Sequence, residues 1–421
     1  MMRPDGIPSA WLNNVLTRCE RGILYPNQLI ARKIEVLGLI GQWKKSEELI
    51  MKNHAWSELC GKERERGSVR TALANIKRKT GQPAQAMELY RDAQAIYSSG
   101  GHSADANNID YNIASLHASL GEYESADILY QRLLAEAQQN GYRQGIGLAL
   151  GGLANVLSLT GRFGEAVTLF RRRIALAEED GDLLALGLTW NNLGNTLERM
   201  GRVDEALDCY RKRLDLANRT GNRQGVCVAI GNIGAMHHRL GRREEALGSF
   251  LTKLRIAEEL GDAYNIGHAA GNAGAIYADL GQFDRALALI ERRLAIAEAM
   301  SDKQSICAAS TSLAQVLLQM GKPGDALGPL DRAEALARAH DMRFFLADAM
   351  QSRAESLRQL GRVTEAEAAC RESLAIARDS GNPGLIFDRQ QLLYRILRQA
   401  DPAGARSLLV EMRKVHPDRL A

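Results

Sequence analysis

The chain has 421 residues, of which 45% are hydrophobic, 25% charged and only 5% aromatic, and its formal net charge is +4. It holds no run of about 18 apolar residues that could cross a bilayer, and its first residues lack the basic-then-apolar order of a secretory signal. We therefore expect a cytoplasmic protein that makes no membrane contact. Its six cysteines include no CxxC pair, which indicates neither a disulfide framework nor a zinc site.

The charges are distributed unevenly along the chain. Residues 32–81 contain 12 Lys and Arg against 6 Asp and Glu, whereas residues 82–381 contain 32 against 38. A basic end of this kind can orient a charged partner, but a dense basic stripe is missing. The distribution does not favour a nucleic acid as the partner.

A repeat of 40 residues dominates the sequence. After a leading helix in residues 1–24, glycines recur at this interval without a slip, at Gly41, Gly81, Gly121, Gly161, Gly201, Gly241, Gly281, Gly321 and Gly361. A fixed period of this length indicates one supersecondary unit copied end to end, in which neighbouring copies bury each other's apolar faces. We predict a repeat array over 25–400 and a C-terminal capping helix with its tail over 401–421.

Each repeat reads as two antiparallel helices. Between Asp182 and Gly201, apolar residues are spaced by three and four positions, and the same spacing resumes after Gly201 up to Thr220. Glycine ends a helix in the left-handed conformation without steric cost. Second glycines (Gly141, Gly181, Gly221, Gly261 and Gly381) close the second helices, and Asp182, Asn222, Asp262 and Asn382 are candidate caps of the next ones.

An alanine lies five residues after every turn glycine except Gly41, where Ser46 has this position. The set comprises Ala86, Ala126, Ala166, Ala206, Ala246, Ala286, Ala326 and Ala366. A small residue repeated at one position predicts that two helices approach closely there. In the last repeat, Asp401 and Arg406 replace the glycine and the alanine, and we expect Arg406, Glu411, Arg413 and Lys414 to face water, as a terminal repeat requires.

The order of small and large residues in NNLGNTLERMGRVDEALDCYRKRLDLA, residues 191–217, resembles the tetratricopeptide repeat (TPR). The 40-residue period most resembles the Pins/LGN adaptor family, and more distantly the kinesin light chains and the bacterial Rap-type peptide sensors. The resemblance implies an all-α, right-handed superhelical solenoid of about ten antiparallel helix pairs. It also implies that the first helices line a concave groove for an extended peptide.

The same resemblance implies that asparagines in this groove hydrogen-bond the main chain of the peptide, because an amide offers a donor and an acceptor. Asn112, Asn192, Asn232 and Asn272 lie nine residues before a turn glycine, and Asn75, Asn155 and Asn195 lie six before it. We expect both sets on the helix face opposite the second helix. The adaptor family has arginines one turn before the first set, where this chain has Leu148, Leu188 and Val228.

Two further sets of residues leave alternatives open. Gly151, Gly231 and Gly271, ten residues before a turn glycine, either make room for a partner or let neighbouring helices pack closely. Arg173, Arg213, Lys253 and Arg293 form a cationic ladder on the second helices. The ladder either binds an acidic partner or lays its stems over neighbouring repeats and pairs with local carboxylates.

Nothing in the chain indicates catalysis or a cofactor. It contains no GxSxG, GxxxxGK[ST] or GxGxxG motif, and His238 and His268 have no third ligand at a metal-binding spacing. We therefore expect no enzyme, cofactor or metal. The leading hypothesis is a scaffold or adaptor that binds an extended protein segment. The alternatives are a regulator whose superhelical pitch responds to a ligand or peptide, and a self-associating structural block.

Overall fold

The computed structural model of the protein describes residues 48, 50, 63–379 and 382–415. This part of the chain is built from 18 α-helices and contains no strand. They are α1 (Glu63–Lys79), α2 (Pro83–Ser99), α3 (Ser103–Ser119), α4 (Tyr123–Gln139), α5 (Arg143–Leu159), α6 (Phe163–Asp180), α7 (Leu183–Arg199), α8 (Val203–Arg219) and α9 (Arg223–Arg239). Then follow α10 (Arg243–Leu260), α11 (Ala263–Asp279), α12 (Phe283–Ala299), α13 (Lys303–Gln319), α14 (Pro323–Ala339), α15 (Arg343–Gln359), α16 (Val363–Asp379), α17 (Pro383–Ala400) and α18 (Pro402–Val415).

The helices form pairs, with an odd-numbered first helix and an even-numbered second helix in each repeat. Helices α1 to α17 have 17 or 18 residues, which makes each about 25 Å long. The all-α prediction of repeated helix pairs is confirmed. The bounds of the predicted array at 25 and 400 stay a prediction, and the leading helix in 1–24 lies outside the described residues.

The contacts divide the chain into two compact units. The first unit consists of the residues up to Glu245 together with Arg255–Ala263. The second unit consists of Ala246–Leu254 and the residues from Tyr264 onward. Within the first unit, every helix from α1 to α9 packs against the next one, and first helices of neighbouring repeats also touch, as in α3 with α5 and α5 with α7. Within the second unit, the same pattern joins α12 to α18.

Left-handed residues set the helix lengths. The eight described turn glycines have φ between 71° and 82°, and the second glycines of the repeats, such as Gly181 and Gly221, adopt the same conformation. Ser301 and Asp341 take the place of second glycines with φ of 53° and 49°. A left-handed L-residue costs about 1–2 kcal/mol. Glycine avoids this cost, which explains why nearly all of the remaining left-handed positions are glycines.

Side-chain caps fix the starts of several first helices. Asp182 Oδ1 accepts a hydrogen bond from the Ala185 amide at 2.9 Å, and Asn222 Oδ1 accepts one from the Gly225 amide at 2.8 Å. Asn382 caps α17 in the same way. These three predicted caps are confirmed. At the start of α18, Asp401 Oδ1 likewise accepts a hydrogen bond from the Gly404 amide at 2.9 Å.

Helix α18 combines buried apolar residues with exposed charged ones. Its apolar residues Ala405, Leu408 and Met412 are buried in the core. The charged residues Arg406, Glu411, Arg413 and Lys414 are all exposed. The predicted polar outer face of the last repeat is therefore confirmed.

The regular spacing of small residues places the predicted alanines in the interior of the helix pairs. All eight alanines five residues after the turn glycines have 0% exposure. In the first unit, Ala126, Ala166 and Ala206 belong to one core cluster with Phe170 and Tyr210. No larger side chain fits there unless the helices move apart.

Replacement of Ala206 by Arg should therefore destabilise the first unit. Overpacking and an unpaired buried charge together cost about 2–4 kcal/mol, and the loss should appear as a lower midpoint in thermal and urea unfolding followed by circular dichroism. Asn218→Arg, at an exposed position of the same helix, is the matched control and should leave the midpoint unchanged. Equal midpoints for the two variants would contradict the close helix approach at Ala206.

Candidate functional site

One stripe of α7 carries both apolar and amide side chains. Leu184, Leu188 and Asn192 are four residues apart, so they lie on the same helix face. Leu184 is 67% exposed and Leu188 is 46% exposed. Large exposed leucines at successive turns are an apolar surface that a partner can cover.

The stripe continues into a chain of amides across two repeats. Asn232 Nδ2, on α9, donates to Asn191 Oδ1 at 2.9 Å, and Asn191 Nδ2 donates to Asn192 Oδ1 at 3.3 Å. At the ends of this chain, Asn192 Nδ2 and Asn232 Oδ1 have no hydrogen-bond partner among the described residues. One end therefore offers a donor and the other an acceptor, and all three residues are partly accessible.

The other members of this asparagine set are separate from the chain. Asn112 is half-buried on α3, and Asn272 is exposed on α11 in the second unit. A role of these two residues in partner binding stays a prediction.

The expected orientation is wrong for Asn75 and Asn195. Tyr90 Oη donates to Asn75 Oδ1 at 2.6 Å, and Tyr210 Oη donates to Asn195 Oδ1 at 2.8 Å. Each amide therefore bonds the second helix of its own repeat instead of facing away from it. A residue six positions before the turn is turned toward the second helix, and the buried tyrosine hydroxyl requires an acceptor. Asn155 is half-buried, and its repeat has Phe170 at the tyrosine position.

Two of the glycines make room for arginine side chains of the same protein. A Cβ built on Gly151 would lie 1.9 Å from a terminal guanidinium nitrogen of Arg173, and one on Gly271 would lie 2.6 Å from the equivalent atom of Arg293. In both places an arginine of the second helix occupies the space beside the glycine. Gly231 is buried on α9.

The arginines of the ladder are desolvated and lack a paired carboxylate. Burial lowers the pKa of Arg173, Arg213 and Arg293. The charges of Asp182 near Arg173 and of Tyr210 near Arg213 raise the pKa, but their effect is smaller than that of burial. Among the described residues, none of the three has a carboxylate within ion-pair distance, and the buried Nε of Arg173 has no hydrogen-bond partner. The expected pairing with local carboxylates is wrong for these three. Lys253 is half-buried.

Two pockets of the first unit contain Arg173 and Arg213, one in each. The Arg173 pocket lies between α5, α6 and the start of α7 and has a cavity volume of about 440 Å³; the Arg213 pocket lies between α7, α8 and the start of α9, with about 180 Å³. Gly147 and Gly187 occupy equivalent wall positions, and Leu184 and Leu188 line both pockets. The stripe of α7 is thus the ridge between two arginine-containing pockets.

The carboxylates near the Arg173 pocket already have partners. Arg143 donates to Asp180 at 2.6 Å and to Glu179 at 2.8 Å, which joins the start of α5 to the end of α6. Asp182 caps α7. The equivalent position to Arg143 in the next repeat is Leu183, which lines the Arg213 pocket and is 43% exposed. The Arg213 pocket therefore has an apolar rim where its neighbour has an ion pair.

Sequence reasoning missed several residues of this site. Asn191 stands where other repeats have Gly151 or Gly231, so it reads as an exception in the glycine row. Gly147 and Gly187 are 40 residues apart, and Gly267 follows Gly187 after two further repeats of 40 residues. This period could have identified Gly147 and Gly187 as members of the pocket walls. The pairing of Gly151 with Arg173 had no signal, because the two residues belong to different helices.

In the described ranges, no group of three His, Cys, Asp or Glu side chains is arranged to hold a metal ion. Cys209, Cys227, Cys307 and Cys370 are buried and unbridged, and burial raises the pKa of the Cys370 thiol to about 12. Of the helices described above, none combines the length and apolarity needed to cross a bilayer.

The sequence matches the MalT-like TPR region over residues 153–416 and a tetratricopeptide repeat family over residues 105–179. The chain belongs to the family of MalT-like TPR regions. A comparison with curated proteins gave no match. The TPR part of the predicted resemblance is confirmed.

Similar folds occur in solved structures of low sequence identity. The apo form of the quorum sensor NprR from B. thuringiensis has a TM-score of 0.60 at 13% identity, covering 81% of this chain and 98% of its own. The apo form of RapI has a TM-score of 0.55 at 13% identity, with 80% and 99% covered. A STAND ATPase with a TPR sensor from Pyrococcus horikoshii has a TM-score of 0.58 at 18% identity, and the match covers 84% of this chain and 53% of that one.

Replacement of Tyr210 by Phe tests the structural role of Asn195. The variant removes the hydroxyl that bonds Asn195 and keeps the ring, as Phe170 does in the neighbouring repeat. We expect a loss of about 0.5–1.5 kcal/mol in the free energy of unfolding, measured by urea denaturation. Asn195→Ala in the Tyr210→Phe background should cost little more, because the partner is already lost. Additive losses would show that Asn195 acts elsewhere.

Proposed function

We propose that the protein is a cytoplasmic, non-enzymatic scaffold or adaptor that binds an extended segment of a partner protein. The segment lies along the first helices α5, α7 and α9. The observation that carries the proposal is the amide chain from Asn232 to Asn192, with an unused donor at one end and an unused acceptor at the other. An extended backbone presents N–H and C=O groups on one edge, so it complements these two ends.

The surroundings of the amide chain support this role. The exposed leucines of α7 lie on the same stripe, so side chains of a bound segment have an apolar surface beside the polar anchor. The arrangement resembles the Pins/LGN adaptors in its use of asparagines on first helices. It differs from them in Leu148 and Leu188, which stand at the arginine positions of that family. The partner therefore meets leucines where the adaptor family offers cations.

Two of the proteins with similar structures are sensors, the quorum sensor NprR and the STAND ATPase with its TPR sensor. Peptide or ligand binding that regulates an effector is accordingly the alternative form of the same proposal. A regulator of this kind changes its radius of gyration in solution scattering when its ligand is added. A static adaptor does not.

Double replacement of Asn192 and Asn232 by Ala tests the proposed function. Affinity capture from a lysate of the source cells, quantified by mass spectrometry, should recover partner proteins with the wild type and lose most of them with the double variant. Each lost hydrogen bond of this kind is worth about 0.5–1.5 kcal/mol, so roughly a tenfold weakening is expected for two.

The control is Asn218→Ala together with Asn140→Ala, two exposed asparagines at the ends of second helices. This variant should capture partners like the wild type. Both double variants should keep the helicity and melting temperature of the wild type. A loss of folding in the Asn192 and Asn232 variant, or unchanged capture by it, would contradict the proposed function.

A further inference from the structure

Each of the two pockets beside the α7 stripe contains an arginine that has no carboxylate within ion-pair distance among the described residues. Arg173 is desolvated by burial, and its Nε has no hydrogen-bond partner. Arg213 is likewise desolvated and has no carboxylate within ion-pair distance in the described ranges. Buried arginines normally pair with a carboxylate or phosphate, because an unpaired buried charge is costly.

The nearby acids do not supply the missing partner. Asp180 is held by Arg143, and the Asp182 side chain caps the first turn of α7. The Arg213 pocket has no carboxylate in its lining at all, since its walls are leucines, glycines, Ala217, Thr220 and Asn222. The exposed leucines Leu184 and Leu188 line both pockets, so each pocket extends to a solvent-accessible surface from which an external anion can enter.

We infer that the partner segment is acidic and apolar, with one carboxylate side chain entering each pocket to pair with Arg173 and Arg213 and with apolar side chains covering Leu184 and Leu188. This inference rests on the proposed function, because it assigns the side-chain chemistry of the segment whose backbone the asparagines hold. The inference assigns one carboxylate to each pocket, because each contains one ladder arginine, Arg173 or Arg213.

The walls favour a peptide carboxylate over a nucleic acid or a polyphosphate. Each pocket contains a single ladder cation, whereas a phosphate backbone is bound by many Lys and Arg along a stripe. Asp180 and Asp182 also line the Arg173 pocket, and each already has a partner on the protein, Arg143 for Asp180 and the Ala185 amide for Asp182. Leucine walls match the apolar side chains of a protein segment, and a carboxylate between them gains strength from the low local polarity.

Selection from a displayed library of random twelve-residue peptides on the full chain tests the inference. We expect peptides enriched in Asp and Glu together with Leu, Ile or Phe. In a fluorescence binding assay, replacing the selected acids by Asn or Gln should weaken binding about tenfold or more, because charge-assisted hydrogen bonds are lost. Binding should also weaken with rising salt.

Two protein variants with equal net charge locate the effect. Arg173→Met with Arg213→Met should abolish the enrichment of acidic peptides and the difference between acidic and amide peptides. Arg171→Met with Arg211→Met removes two exposed arginines of the same helices, and it should select the same peptides as the wild type. Circular dichroism and melting temperature establish that both variants are folded. If the first variant does not fold, the acid-to-amide comparison on the wild type still decides.

Enrichment of neutral or basic peptides on the wild type would overturn the inference. So would an equal loss in the two arginine variants, since it would assign the preference to general charge. Neutral peptides whose binding is lost in the Asn192→Ala and Asn232→Ala variant would overturn the acidic assignment and leave the proposed function standing. Acidic peptides that bind the asparagine variant normally would support the pockets and contradict the amide contact.

Discussion

Left-handed residues at intervals of 20 residues are the constraint on which the structure depends. Each one ends a helix of 17 or 18 residues, so every repeat contributes helices of equal length. Equal lengths keep equivalent residues of successive repeats at the same height in the stack. Within the first unit, this register places Asn191 beside Asn232 and gives α7 pockets on both of its sides. An insertion of one residue would move the side chains of a helix by about 100° and break these alignments.

Glycines within the helices have a different purpose from those at the turns. Gly151 and Gly271 lie within helices. The space that a side chain at each position would need is occupied by Arg173 and Arg293, respectively. The arginines thereby reach from the second helix to the surface of the first. This arrangement leaves each guanidinium cation poorly solvated, and its burial lowers the pKa of the arginine. Such a desolvated, unpaired charge is a common mark of binding surfaces.

The sequence predicted the fold in considerable detail. The 40-residue glycine period gave the helix pairs, the alanine row gave buried positions inside the helix pairs, and the caps at Asp182 and Asn222 were correct. These features are local, because propensity, capping and period act within about one repeat. The wholly helical architecture follows from them, and the family match over residues 153–416 agrees with it.

The site was less predictable because it depends on contacts between helices. The two asparagine rows differ by three residues, and only the packed structure shows that Asn195 bonds the second helix while Asn192 does not. The ladder was visible as a period, but the absence of a carboxylate beside Arg213 required coordinates. Side-chain length and rotamer decide such contacts, and neither is encoded in spacing alone.

The asymmetry of the amide chain imposes a direction on whatever lies against it. Along one edge of an extended strand, the separation from N–H to C=O within a residue differs from the separation to the next N–H on that edge. The Asn192 donor binds a C=O and the Asn232 acceptor binds an N–H of the bound segment. In one chain direction these two groups are separated by the first distance, and in the opposite direction they are separated by the second. A segment bound as proposed therefore has a defined direction along the amide chain as well as a defined composition.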